Sequence, residues 1–264
     1  MLPRLFWIAS WLSLAFYFGN LDLRAQQAEA PKRKIEFPKP ATPDAPVESA
    51  VTNMQFKVVG PGVFQLGDIK MDKGKRTVSF PATLNRPQGP MEYFLVTKYG
   101  KTHESILRTE VKPYDVHIAM LLLGAGGSGT NFAPGGLPQN GPSQISNPSK
   151  EVLPGDKVTI EVKWTQDGKE VRRAAQDFVY NEQTHSIPEH AGWVYNGSFI
   201  AQGRFLAQME GSIVSLITDP VALVNNISVG HDNDRIWTGN TNALPPADIP
   251  LEVVIKLEEP LEKK

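Results

Sequence analysis

Residues 100–129 read GKTHESILRTEVKPYDVHIAMLLLGAGGSG, and the change of pattern inside this stretch decides the fold class. Before it, from Val51 to Thr109, apolar residues come in short segments: MQFKVVG, VFQLGDIKM, KRTVSFPATL and MEYFLVTKYG. These are rich in β-branched and aromatic residues and are punctuated by Gly60-Pro61-Gly62, Asp72-Lys73-Gly74 and Pro87-Gln88-Gly89-Pro90. Short strands separated by tight turns predict antiparallel sheet. At Pro113 the pattern changes. Proline is suited to the first position of a helix, and Tyr114–Leu123 follows as a helix that is apolar nearly all round and so predicted to be buried on most sides. For so short a run a buried strand is the alternative.

The stretch ends in an irregular excursion. Residues 124–142, GAGGSGTNFAPGGLPQNGP, hold seven glycines and three prolines. Strands resume at Lys157–Trp164 (KVTIEVKW), from Glu170, at Gly211–Thr218 (GSIVSLIT) and at Leu251–Leu257 (LEVVIKL). Asp219-Pro220 predicts the cap of a short helix over Val221–Asn225, and Asn233–Pro250 reads as a polar loop. The expectation is an α+β, mostly β single domain, built on antiparallel sheet with one or two short helices and spanning residues 51–258.

The N-terminus predicts export. Arg4 precedes an uncharged apolar run, Leu5–Phe18, with small residues at Ala25, Ala28 and Ala30. That run is shorter than the roughly 20 residues a membrane-spanning helix needs and suits a signal peptide over residues 1–30. An uncleaved anchor is the rival, and would be the chain's one membrane contact. Residues 31–50 form a linker with five prolines, and 259–264 a charged tail. The expected location is periplasmic or extracellular.

Composition excludes several functions. The 264 residues carry a formal net charge of −1, without the surplus of cations that nucleic-acid binding requires. With no cysteine there is no disulfide, thiolate zinc site, iron–sulfur cluster or cysteine nucleophile. Gly124–Gly129 matches GxGxxG, but the sequence after it cannot form the helix that receives a pyrophosphate, so no dinucleotide is expected.

The candidate site centres on Lys101, Thr102, His103, Glu104 and Ser105. On a strand, His103 and Ser105 face one way, Thr102 and Glu104 the other. His103, Glu104 and His117 offer imidazole and carboxylate ligands for a divalent metal, converging through tertiary structure, as the centre of a hydrolase-like enzyme. The bland alternative makes both histidines satisfied structural groups. Trp193 and Tyr195, with Phe199 and Phe205, offer stacking surfaces for a sugar, or else belong to the core. A Ser/His/Asp triad from Ser105 or Ser198, with His185, His190 or His231 and Asp219, can be assembled on paper, as in most chains. His231-Asp232-Asn233-Asp234 reads as a turn rather than a cation loop.

With these residues laid out, the chain resembles the YdjY-domain family, exported bacterial proteins of unknown activity. The likeness rests on GKTHESIL at 100–107, HIAMLLLGA at 117–125, WVYNGS at 193–198 and EGSIVSLITDPVALVNN at 210–226, and covers roughly 53–258. It marks Lys101 to Ser105 as the family-like block and brings no established catalytic residue. It implies a setting near ferredoxin-like 4Fe–4S modules, although a chain without cysteine holds no such cluster itself. The leading expectation is therefore a non-enzymatic binding or accessory domain, meeting an envelope partner or small ligand near the KTHES segment. The metal-dependent enzyme and the carbohydrate-binding module stand as alternatives.

Overall fold

A computed structural model describes residues 56–127, 152–188 and 192–259. The signal segment, the linker, most of the tail, His190 and the bulk of the glycine-rich excursion lie outside them.

The first four strands form a meander: β1 (Phe56–Gly60), β2 (Val63–Leu66), β3 (Ile69–Asp72) and β4 (Thr77–Leu84). The segment VFQLGDIKM is thus a hairpin, folded at Gly67-Asp68. Then come β5 (Tyr93–Thr97), β6 (Ser105–Thr109), α1 (Pro113–Leu122), β7 (Asp156–Gln166), β8 (Lys169–Ala174), β9 (Val179–Asn181) and β10 (Trp193–Tyr195). A small hairpin of β11 (Ile200–Ala201) and β12 (Arg204–Phe205) leads into α2 (Leu206–Glu210). The chain continues through β13 (Ser212–Ser215), β14 (Val224–Asn226), β15 (Trp237–Gly239) and β16 (Leu251–Leu257). The protein is mostly β, as expected, and Pro113 does occupy the first turn of α1.

The pairing closes on itself. The order β4-β16-β7-β10-β14-β13-β5-β6 returns to β4 through Thr83↔Arg108 and Leu84↔Leu107, giving an eight-stranded barrel with β1–β3 and β8 attached outside. Closure gives every barrel strand a neighbour on both sides, so the sheet's edges fall on the attached strands β1 and β8. Alternation supplies the interior: Val253 and Ile255 of β16 pair with Phe80 and Val78 of β4 on one side, and with Val162 and Ile160 of β7 on the other. All six are buried in one apolar cluster, while Glu252, Lys163 and Lys256 alternate with them on the solvent side. α1 contacts β3 and β4, and its His117 reaches Tyr195 of β10, three strands round the ring. The helix therefore lies across the barrel rather than along one strand.

Three expectations are corrected. Antiparallel pairing fails at two places, because β5–β6 and β13–β14 are parallel. Residues 221–225 form no helix; a turn ends in β14, where tertiary pairing with β10 and β13 outweighs the local Asp-Pro signal. Within the polar loop at 233–250, β15 pairs with β9. Among the described residues no helix is long and apolar enough to cross a membrane.

Candidate functional site

Parallel neighbours need a connection that returns the chain to the starting end, ordinarily a dozen residues or more. Here β5 is joined to β6 by seven residues, 98–104, and β13 to β14 by eight, 216–223. The family-like KTHES block is the first of these crossovers. The two parallel pairs lie side by side in the order β14-β13-β5-β6, so the two crossovers meet.

Their junction is polar. The Lys101 ammonium donates to Tyr93 Oη at 2.7 Å and lies over that ring, 4.8 Å from its centroid. Tyr93 Oη in turn donates to Asp219 Oδ2 at 2.8 Å, and the Val221 N–H donates to Asp219 Oδ1 at 2.9 Å. Asn225 Oδ1 accepts from the Asp219 N–H at 2.7 Å, and Asn225 Nδ2 donates to Asn196 Oδ1, also at 2.7 Å. Asn196 Nδ2 closes the set onto the Ala222 carbonyl at 3.0 Å. Tyr93, Asp219, Asn225 and Asn196 are buried, and Lys101 is half-buried with Glu210 at 3.5 Å. Buried polar groups left without partners are costly, and this set satisfies the turns that make such short crossovers feasible.

The remaining KTHES residues are placed by the same demand. Thr102–Glu104 form one 3-10 turn, not a strand, so the alternating faces expected for Thr102 to Ser105 do not exist. Asn85 Nδ2 donates to the Thr102 and Ser105 carbonyls at 2.6 and 2.7 Å, and Arg86 Nη1 to the His103 carbonyl at 2.7 Å. Ser105 is fully buried, its hydroxyl donating to the Leu107 carbonyl. His103 points outward, its side chain 74% exposed, with Glu104 3.7 Å away.

His117 is elsewhere. It is buried in α1 against Tyr195, whose Oη is 2.6 Å from Nδ1, and against the Phe205 ring at 4.8 Å. The proposed ligands His103, Glu104 and His117 therefore do not converge, and no group of three such side chains among the described residues is arranged to hold a metal. Trp193 and Tyr195 are also buried: Trp193 packs on Phe94, its indole N–H donating to Gln176. A stacking platform for sugar needs exposed ring faces, so the carbohydrate reading loses its site. Among the described residues the triad does not assemble either: Ser198 Oγ accepts from the Ala207 N–H and His231 pairs with Thr218, while His190 lies outside them.

Burial alone pushes the His117 imidazole down to about 4. Burial, with help from the Asp156 charge, pushes the Tyr195 phenol upward, so the phenol stays protonated and donates to Nδ1 of a neutral ring. The linkage follows in sign. The unfolded chain takes up this proton first, near pH 6.5, so the stability contribution is present above that value. It is lost as pH falls towards about 4, at about 1.4 kcal/mol per unit, for a total of about 3 kcal/mol. Denaturant unfolding at pH 7 and pH 4.5 is expected to show this loss, and a His117→Gln variant to flatten it. Equal slopes in both proteins would assign the acid sensitivity to other groups.

The GxGxxG segment has an internal anion. The N–H groups of Gly126 and Gly127 both donate to Asp156 Oδ2, at 2.7 and 2.8 Å. Successive backbone donors of this kind form an anion-binding nest, and the chain's own carboxylate fills it. Sequence reading missed Tyr93, Asp156, Asn196 and Asn225 as organising residues. The faint signal was Asp219-Pro220, whose capping role is real but serves a turn.

The sequence pattern of the YdjY domain matches residues 69–256, from the start of β3 to the penultimate residue of β16. The chain belongs to the YdjY-domain family. No curated protein and no solved structure matches it. The match spans the barrel strands, both crossovers and α1, so the YdjY domain here includes the whole Lys101–Tyr93–Asp219 junction. The meander strands β1 and β2 fall outside it.

Proposed function

We propose that this YdjY domain is an exported, non-enzymatic binding or accessory module that meets an envelope protein partner at the 98–104 crossover. One observation carries the reading. Lys101, Tyr93 and Asp219 are tied to one another by hydrogen bonds behind the turn, while His103 stands out to solvent on a turn whose carbonyls are held from behind by Asn85 and Arg86. A rigid turn with an exposed tip loses little conformational freedom on association, which favours recognition. The apolar segment at residues 5–18 supports export.

The test is site-specific photo-crosslinking in the native envelope with the full chain. A benzophenone residue at position 103 is expected to give one discrete heavier adduct. The same group at Lys169, on β8 beside β7 and so four strands round the ring from β5, is expected to give none. No adduct at 103, or equal adducts at both positions, overturns the proposal.

A further inference from the structure

A groove of about 620 Å³ lies on the outer face of β4, β16 and β7, and none of its residues belongs to either crossover. Register sets its floor. Lys256 stands between Thr77 of β4 and Thr159 of β7, and Val254 between Ser79 and Glu161. The β3–β4 turn walls the groove on one side with Lys75 and Arg76. Glu161 and Glu258 wall the other, where the Glu258 N–H donates to the Lys157 carbonyl of β7. The two walls are therefore of opposite sign. Two strand spacings separate β4 from β7, or about 10 Å.

The charges keep open capacity. On the same face Lys163 and Glu252 are directly opposite and pair at 3.7 Å. Lys256 and Glu161 are only diagonal neighbours, and among the described residues they make no ion pair. Arg172, whose charge also feels Glu161, is bonded to Glu170. Lys75 has Asp72 at 3.5 Å but its side chain is 79% exposed. Arg76 Nε donates to the Leu257 carbonyl at 3.4 Å, with Glu259 at 3.7 Å, and the two Nη groups make no bond among the described residues. Arg76 also holds φ +55°, a left-handed conformation that glycine adopts with less strain. Strain of this kind persists only where the surroundings impose it, and it gathers at binding sites.

We propose that this groove binds a short peptide with free termini, extended across β4, β16 and β7, its carboxylate on Arg76 and Lys75 and its ammonium on Glu161 and Glu258. Three extended residues span about 10 Å, which matches the separation of the walls. A guanidinium anchored at Nε presents its Nη pair to a carboxylate. Lys256 and the two threonine hydroxyls meet the peptide carbonyls from below, and Val254 gives an apolar footing.

Calorimetric titration of the full chain with trialanine tests the proposal. Saturable binding of one peptide per chain is expected. Acetylating the N-terminus or amidating the C-terminus is expected to weaken it at least tenfold, and dialanine, too short to reach both walls, to bind at least tenfold more weakly. Glu161→Gln is expected to weaken binding of free trialanine and to abolish the penalty of acetylation. Arg76→Gln is expected to do the same for amidation. Should Arg76→Gln fail to fold, Lys75→Gln serves instead, with a reduced penalty of amidation. No saturable binding at millimolar trialanine, indifference to both blocking groups, equal binding of dialanine, or variants that keep both penalties overturns it.

Discussion

Asp219→Ala is expected to destabilise the protein by about 4 kcal/mol, because it removes the acceptor on which both crossovers converge. Two donors lose this acceptor at once: the buried Tyr93 hydroxyl and the Val221 N–H. The Lys101 ammonium rests on Tyr93, so the carboxylate at the end of the Lys101–Tyr93–Asp219 chain is removed. An unmet buried donor costs about 1–3 kcal/mol, and here the Tyr93 hydroxyl and the Val221 N–H both lose a charged acceptor. Asp219→Asn keeps an acceptor and the shape, so its cost is expected to be about 1–2 kcal/mol. Tyr93→Phe removes the middle of the chain together with one of its donors and belongs in the same lower range. Urea unfolding of the three variants gives the ranking. An alanine variant within about 1 kcal/mol of the parent would mean that the crossovers are held by packing and that the polar junction is incidental.

Gly211→Ala carries the second large effect, also about 4 kcal/mol. Gly211 ends α2 with φ +71°, a left-handed conformation that costs a residue with a Cβ about 1–2 kcal/mol. The added Cβ would also collide with Thr97 Oγ1 and come within 2.9 Å of Gly100 Cα, at the start of the KTHES crossover. Neither contact can be relieved by swinging a long side chain, so the backbone of the crossover must move. Gly203 is the matched control. Its φ is +73° with nothing within 4 Å of the added Cβ, so Gly203→Ala is expected to show the conformational cost alone. The difference between the two melts isolates the close approach of the two segments. Equal losses would show that the approach relaxes freely.

Both effects concern residues whose importance lies in where the chain brings them. The sequence by itself determined the local elements. Alternation in Leu251–Leu257 and Lys157–Trp164 placed the barrel's central strands and their inward faces, because period-two hydrophobicity follows directly from strand geometry. Pro113 placed the start of α1, the absence of cysteine fixed which chemistries are closed to the chain, and the KTHES and LLLG blocks pointed to the right family. The tertiary structure alone decided the rest. No periodicity announces that β5 and β6, or β13 and β14, run parallel across connections this short, since parallel pairing depends on residues far apart along the chain. The same holds for His103 and His117: one list of residues on paper, but one lies on an exposed turn and the other in the core. Trp193 and Tyr195 went inward because three-residue β10 is enclosed between β7 and β14, with α1 lying over Tyr195. Burial is a property of what packs on a residue, and for these side chains every partner comes from another part of the chain.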